Sequence, residues 1–302
     1  MSLAAVAGVL LVGGYVVAVL DRAVSDAVSG VAVRWRAAFG DPVREAALTL
    51  LSQRTTTERP DAEGWALAPA LLTALAASAL VVIPAGPGLD VADIPAGLVL
   101  FGAATALVTI AVFLHGWSAN SPFPLVGAYR FIAVALSVEI PFFLVLIGTA
   151  LPAESLAVGD VVRSQTGMWN VLRQPLGLPI YLVGALGVAF WGPLNLSDAE
   201  DLALGTLAEV SGLPRLLWQS GQASLLVALA AMGAAAFLGG WLGPWLPGWI
   251  WMTGKTGVLL AVLVAGRHLL ARVRLERFVV FGWTVLIPLA LVDVFVAGIS
   301  LL

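Results

Sequence analysis

One acidic residue, Glu139, lies near the middle of the long apolar stretch 125–151. An acid at the centre of a membrane-spanning helix costs roughly 3 kcal/mol and commonly takes part in proton transfer. Pro141, two residues on, has no backbone N–H and leaves the carbonyl of Ser137 without its helical donor. The pattern indicates a proton-relay or cavity carboxylate, or alternatively a neutral glutamic acid hydrogen-bonded to a neighbouring helix.

The segment 192–219 is a second concentration of acidic chemistry, with no lysine or arginine before Arg215. Loops on the inner side of a membrane are usually rich in basic residues. The segment is interpreted as a docking or proton-collecting surface, and the alternative is a solvated loop. Its acids are Asp198, Glu200, Asp201 and Glu209.

Lys255 and Asp293 are charged residues at similar predicted depth in the last two apolar stretches. Adjacent antiparallel helices would bring them together, so we predict a structural ion pair between them. The two histidines, His115 and His268, do not have the spacing of metal or haem ligands, and no metal site is expected.

The composition is that of a membrane protein. Of 302 residues, 60% are hydrophobic and 11% are charged, less than half the share of a soluble domain. A basic nucleic-acid-binding surface and an ordinary soluble enzyme are therefore excluded. The chain has no cysteine, so it offers no thiolate for an iron–sulfur cluster, and any redox centres must be on other chains.

The elements that position these residues are predicted to be transmembrane helices, since a span needs about 20 mostly apolar residues. The expected fold is all-α, a single polytopic membrane domain over residues 1–302. About eight spans are predicted, at 2–20, 65–84, 95–114, 125–151, 176–191, 220–240, 251–271 and 279–299.

The arginines predict the orientation. If the N-terminus faces outside, 12 of the 15 basic residues lie on or near the inner side. We therefore expect a multi-pass protein of the cell inner membrane, with both termini outside.

The first inner loop contains the segment 41–53, which is too short and polar to span. Asp41 is expected to cap a helix that has Pro42 in its first turn. Val43, Ala46, Ala47, Leu50 and Leu51 would share one face, which predicts an interfacial amphipathic helix. The alternative is a surface helix covered by a neighbouring protein of the same assembly.

The order of these features resembles a known family, the H subunit of bacterial NADH–quinone oxidoreductase (respiratory complex I). The resemblance covers nearly the whole chain and is strongest after residue 115. The motifs that carry it are Gly116–Asn120 (GWSAN), Leu125–Arg130 (LVGAYR), Ser137–Pro141 (SVEIP), Gln174–Gly177 (QPLG), Asp198–Asp201 (DAED), Glu209–Gly212 (EVSG) and Phe237–Trp241 (FLGGW).

The resemblance implies a membrane protein that forms part of a quinone chamber and the entry of a proton path. Flavin and iron–sulfur clusters would be bound by peripheral-arm partners, and the other partners would be membrane subunits, lipid and the quinone itself. Candidate proton-path residues are Glu139, Asp198, Glu200, Asp201 and Glu209. Candidate quinone-binding residues are Arg22, Arg34, Arg36, Phe39 and Glu45.

Two acids of the family are absent here, because Val188 and Gln222 stand at their positions. Glutamine forms hydrogen bonds but cannot release a proton. Much of the family's first-loop motif is also missing. These departures keep a second hypothesis open, namely the membrane anchor of an energy-converting hydrogenase or formate hydrogenlyase. A stand-alone ion transporter is disfavoured, because the sequence has no internal repeat.

Overall fold

The computed structural model describes residues 3–53, 55–198 and 204–299, which contain helices, turns and loops but no strand. The predicted all-α fold is confirmed. The α-helices of the described ranges are α1 Leu3–Val28, α2 Trp35–Leu51, α3 Ala62–Val81, α4 Gly97–Ser118, α5 Pro122–Ala150, α6 Val158–Arg163, α7 Asn170–Arg173, α8 Gly177–Val188, α9 Gly212–Phe237, α10 Gly248–Leu269, α11 Leu275–Phe281 and α12 Ile287–Ile299.

Seven helical segments among the described residues are long and apolar enough to cross a membrane. They match seven of the eight predicted spans, and α11 and α12 form one of them through a π-helical turn. The segments are Ala4–Val28, Ala62–Val81, Gly97–Ser118, Pro122–Ala153, Gly212–Phe237, Gly248–Leu269 and Leu275–Ile299.

The remaining predicted span, 176–191, forms the shorter helix α8 of 12 residues. At 1.5 Å per residue it is about 18 Å long, against roughly 30 Å of hydrocarbon. The helix stops because Phe190 adopts a positive φ of 39°, which turns the chain out of the helical path. Both ends of α8 therefore need hydrogen-bond partners inside the bundle.

Helix α9 is the centre of the bundle. In its 18-residue apolar window, 89% of the residues are buried, a larger share than in the other candidate spans. It packs against α3, α10 and α1. The hydroxyl of Tyr181 on α8 donates to the carbonyl of Leu229 at 2.7 Å, which attaches the short helix to this core.

Helix α8 also packs closely on α5 through two glycines. A Cβ at Gly187 would lie 2.8 Å from Cγ2 of Val138, and Gly184 meets the ring of Phe142 in the same way. Small residues at helix interfaces in membranes allow the backbones to approach. This contact fixes α8 beside the turn of α5 that carries Glu139.

The amphipathic helix is longer than predicted, since α2 begins at Trp35 and places Pro42 in its interior. The predicted cap at Asp41 is wrong, and this carboxylate instead pairs with Arg22 at 3.2 Å. Ala38 is fully buried and packs with Val19 and Ala23 of α1, which stabilises the extra turns. The side chains of Val43, Leu50 and Leu51 are exposed, as expected of a face that contacts lipid or another protein.

We expect Gly187→Val to destabilise the bundle by about 1–3 kcal/mol, because the new side chain overlaps Val138. Thermal unfolding of the purified chain in detergent measures the loss. Gly257→Val on α10 is the matched control, since nothing lies within 4 Å of a Cβ there. Equal melting temperatures for the two variants would contradict the close α5–α8 packing.

Candidate functional site

A cavity of about 480 Å³ lies where the end of α8, the start of α9 and the end of α10 meet. Its size is within the range of roughly 300–1,000 Å³ found for small-molecule sites. Its wall combines aromatic, amide, acidic and basic side chains. The lining residues are Trp191, Gly192, Asn195, Asp198, Leu207, Gln219, Gln222, Arg267, His268, Leu270 and Arg272.

Asp21 of α1 holds the basic side of this wall in place. Nη1 of Arg267 donates to its Oδ2 at 3.2 Å, and Nε2 of His268 lies 2.8 Å from its Oδ1. The guanidinium of Arg267 also stacks over the ring of Trp191, 5.0 Å from its centroid. The cavity therefore has a fixed carboxylate, imidazole and guanidinium in contact. The sequence had assigned no role to His268 or Asp21, since neither belongs to a recognisable motif.

Asp198 forms the acidic side of the wall and is only 5% exposed. Its Oδ1 accepts from the hydroxyl of Thr206 at 2.6 Å, and its Oδ2 accepts from Nδ2 of Asn195 at 3.0 Å. These bonds fold the acidic segment back onto the bundle. A purely solvated loop, the alternative interpretation, does not describe this part of the segment.

The other acids of the segment are not brought to the cavity wall. Glu209 is half-buried, and its Oε1 accepts from the hydroxyl of Ser121 at 3.1 Å, next to the first turn of α5. The positive end of that helix favours a negative charge there. Glu200 and Asp201 lie outside the described residues.

Gln222 has a role that sequence reasoning missed. Its Nε2 donates to the carbonyl of Phe190 at 2.8 Å and reaches that of Ala189 at 3.3 Å. These carbonyls belong to buried residues directly after the last turn of α8. The signal available in the sequence was an amide in the first turn of the predicted apolar span 220–240.

Glu139 lies apart from the cavity, on the outer side of α5. Its Oε1 accepts from the hydroxyl of Thr109 on α4 at 3.2 Å. The side chain is half-buried, between Leu136 and Ile140, which are 55% and 44% exposed. The bond to a neighbouring helix fits both interpretations of this residue, and the exposed flank faces whatever covers α5.

The five predicted quinone-binding residues line no part of this cavity. Arg22 pairs with Asp41, and Arg34 pairs with Asp26 at 3.4 Å. Arg36, Phe39 and Glu45 are exposed on α2. One of these five residues, Arg22, is next in sequence to Asp21 on α1, the carboxylate that contacts Arg267 and His268 of the cavity wall.

The predicted ion pair between Lys255 and Asp293 does not form. Nζ of Lys255 donates to the carbonyls of Gly240 and Leu242 at 3.0 and 2.7 Å, and lies 4.5 Å from the ring centroid of Trp169. The reason is the helix arrangement, because α10 packs against α9 and α1, whereas α12 packs against α5. The two helices are consecutive spans but not close neighbours.

The chain is similar to known proteins over most of its length. A family model described as NADH dehydrogenase matches residues 32–298. The chain is 34% identical to an NADH-quinone oxidoreductase H subunit of Rhodopseudomonas palustris (strain BisB5), over 81% of this chain and 78% of that protein. It is 35% identical to an H subunit of Geobacter metallireducens, over 77% and 74%. It is 32% identical to the H subunit of Anoxybacillus flavithermus, over 83% and 77%.

We expect Gln222→Leu to cost about 1–3 kcal/mol of unfolding free energy, because the carbonyl of Phe190 would lose its buried donor. Gln222→Glu can replace that bond only when its carboxyl is protonated. The stability of this variant relative to wild type should therefore fall as the pH rises. Thermal unfolding in detergent between about pH 5 and pH 8 tests both effects, because carboxyls and histidines titrate in roughly this range.

The matched control for this test is Gln219→Leu, one turn earlier, where the side chain is exposed at the cavity. It should unfold close to wild type. If Gln222→Leu is as stable as Gln219→Leu, then Gln222 does not stabilise the end of α8.

Proposed function

The chain belongs to the NADH dehydrogenase family, and H subunits of NADH-quinone oxidoreductases are among its relatives; we propose that it has the following role in a complex I-like enzyme. It forms part of the quinone chamber and of the proton entry. It is a membrane subunit of that oxidoreductase family. The observation that carries the finer proposal is the mixed polar and aromatic cavity beside α8, α9 and α10.

The chemistry of the cavity wall suits a quinone headgroup. A quinone presents two carbonyl oxygens that accept hydrogen bonds, and an aromatic face for stacking. Arg267, Gln219 and His268 supply donors, and Trp191 supplies an aromatic surface. Reduction of a quinone to a quinol takes up two electrons and two protons. Asp21, in contact with His268, gives the wall a carboxylate–imidazole pair able to deliver a proton.

The entrance to the chamber is proposed to lie along α1 and α2. Phe39 is exposed there, and the hydroxyl of Tyr15 donates to its carbonyl at 2.7 Å, which fixes α2 against α1. Arg22, Arg34, Arg36 and Glu45 would line this approach. A quinone tail entering from the lipid would meet the exposed apolar face of α2 first.

The proton path is proposed to begin at Asp198 and Glu209 and to continue through Glu139. Glu200 and Asp201 are candidates for the same surface. Since Val188 and Gln222 cannot titrate, the path relies on fewer acids than the family pattern. The half-exposed position of Glu139 on α5 supports a path that leaves this chain sideways, into a neighbouring membrane protein of the complex.

The remaining components follow from this proposal. Electrons would arrive from flavin and iron–sulfur clusters on peripheral-arm partners, and this chain would bind no redox cofactor itself. It would act only within the assembled translocase. The arginine distribution supports a place in the cell inner membrane, with the cavity at the inner side and both termini outside.

A hydrogenase-type membrane anchor is the second candidate function. It is favoured by one observation, that none of the five residues predicted to bind quinone lines the cavity. In such an assembly no quinone need bind. Nickel in the native complex purified through this chain would identify this alternative, whereas flavin and NADH oxidation would support the first.

We expect Glu139→Gln to abolish proton pumping in the assembled complex while quinone reduction and assembly persist, because glutamine keeps the bond to Thr109 but carries no proton. Acidification of inverted membrane vesicles during NADH oxidation measures this. Glu63→Gln, at an exposed position on α3, is the control and should pump normally. Normal pumping by the Glu139 variant would remove this residue from the path.

We expect Arg267→Gln to raise the KM for a soluble quinone roughly tenfold, the equivalent of about 1.4 kcal/mol. The change removes the charge over Trp191 and the ion pair between Arg267 and Asp21. Steady-state quinone reduction by the assembled complex measures the effect. Arg277→Gln, on the exposed side of α11, should leave the KM unchanged. An unchanged KM in the Arg267 variant would separate this cavity from the quinone site.

A further inference from the structure

Asp293 is a buried carboxyl that forms no ion pair with a described residue. It is 1% exposed, on the last membrane helix α12. Lys255, the lysine expected to neutralise it, is bonded to carbonyls elsewhere. Neither carboxyl oxygen of Asp293 has a hydrogen-bond partner among the described residues. An intramembrane acid in this state needs another explanation, because burying a bare carboxylate is costly.

The N-terminus of α8 is the first of two structural features that lie beside the carboxyl of Asp293. Oδ2 of Asp293 lies 2.9 Å from the point where a Cβ on Gly177, the first residue of α8, would be. The backbone amide of Gly177 donates to the carbonyl of Gln174 at 3.0 Å and forms no hydrogen bond with the carboxyl. The positive end of a helix favours the ionised form of an acid placed there.

The second group is the side chain of Gln174, which is also 1% exposed. Its Nε2 donates to the carbonyl of Val145 at 3.3 Å. Its Oε1 lies 2.5 Å from the point where a Cβ on Gly148 of α5 would be, and Cγ2 of Val294, the residue after Asp293, lies 3.6 Å from the same point. Oε1 has no donor among the described residues. Cδ of Gln174 lies 3.2 Å from the point where a Cβ on Gly177 would be, and Oδ2 of Asp293 lies near this same point. The two side chains therefore flank one small space.

This arrangement accommodates both forms of the acid. The ionised carboxylate lies beside Gly177 at the positive end of α8, as charged groups do at broken helices in transporters. The neutral acid gains an O–H donor, and Oε1 of Gln174 is an acceptor without a donor. A metal cation would find only three side-chain oxygens here, fewer than the six to eight that calcium takes.

The other titratable and charged groups on the elements that pack near Asp293 either have hydrogen-bond partners of their own or lie far from its carboxyl. On α5, Glu139 is nine residues, or about 13 Å, from Gly148, the residue that contacts Val294. On α8, the hydroxyl of Tyr181 donates to Leu229. Arg173, just before Gln174, donates to Asn170 and Ser164. Glu154, beyond the end of α5, is exposed.

We propose that Asp293 and Gln174 form a reversible proton-binding site at the N-terminus of α8, at the opposite end of this helix from the cavity. The site binds a hydrogen ion on the carboxyl of Asp293, and the proton is shared with Oε1 of Gln174. It gives the chain a second intramembrane proton-binding group besides Glu139. The site does not depend on the proposed quinone chemistry.

Infrared difference spectroscopy of the purified assembled complex, titrated in pH without NADH or quinone, tests this site. The wild-type complex should show a carbonyl band of a protonated carboxylic acid that disappears as the pH rises. Asp293→Asn should lack that band. Gln174→Leu should retain it at a shifted frequency, because the shared hydrogen bond is lost. Glu139→Gln should leave it in place, which separates this site from the proposed proton path.

Three results would overturn the proposal. The first is an Asp293→Asn complex with the same titrating bands as wild type, which would mean that the carboxylate stays ionised as a cap for α8. The second is displacement of the band by sodium at constant pH, which would indicate a metal cation site. If the Asp293→Asn complex fails to assemble, Asp293→Glu is measured instead. The third overturning result is then the absence of a shifted titrating carboxyl band in the Asp293→Glu complex.

Discussion

The backbone groups at the two ends of a short membrane helix must find partners, and much of this bundle is arranged around that need. Helix α8 covers about 18 Å, and Gly177 at its start and Val188 at its end are both buried in the bundle, where an unpaired N–H or C=O costs several kcal/mol. At its C-terminal end, Gln222 donates to the carbonyls of Ala189 and Phe190. At its N-terminal end, the amide of Gly177 donates to the carbonyl of Gln174 at 3.0 Å, and the carboxyl of Asp293 lies beside Gly177.

These two ends are also where the polar chemistry of the membrane domain collects. The cavity adjoins the C-terminal end, with Asp198 and the Asp21–Arg267–His268 cluster in contact with it or with its wall. A helix that ends inside the bundle needs polar side chains as hydrogen-bond partners for its terminal backbone groups. The same polar side chains can also contact a polar ligand or bind a proton. Gln222 illustrates the coupling, because it serves the helix end and lines the cavity at once.

The sequence predicted the parts of the fold that depend on local composition. Seven spans followed from apolar runs of sufficient length, and the buried or half-buried state of Glu139 followed from its place in one of them. The family followed from motifs in a fixed order. The length of α8 was not predictable in this way, since residues 189–191 are as apolar as the helix itself, yet the chain leaves the helical path at Phe190, which has a positive φ of 39°.

Side-chain partners across helices were the other part that the sequence left undetermined. Lys255 and Asp293 have complementary charges and similar depth, yet they lie on helices that pack against different neighbours. Local sequence determined that this is a helical membrane protein with a few costly polar residues. Tertiary structure alone decided which of them meet, because contacts between helices depend on the packing of glycine and aromatic surfaces, such as Gly187 on Val138, that no periodicity in one helix encodes.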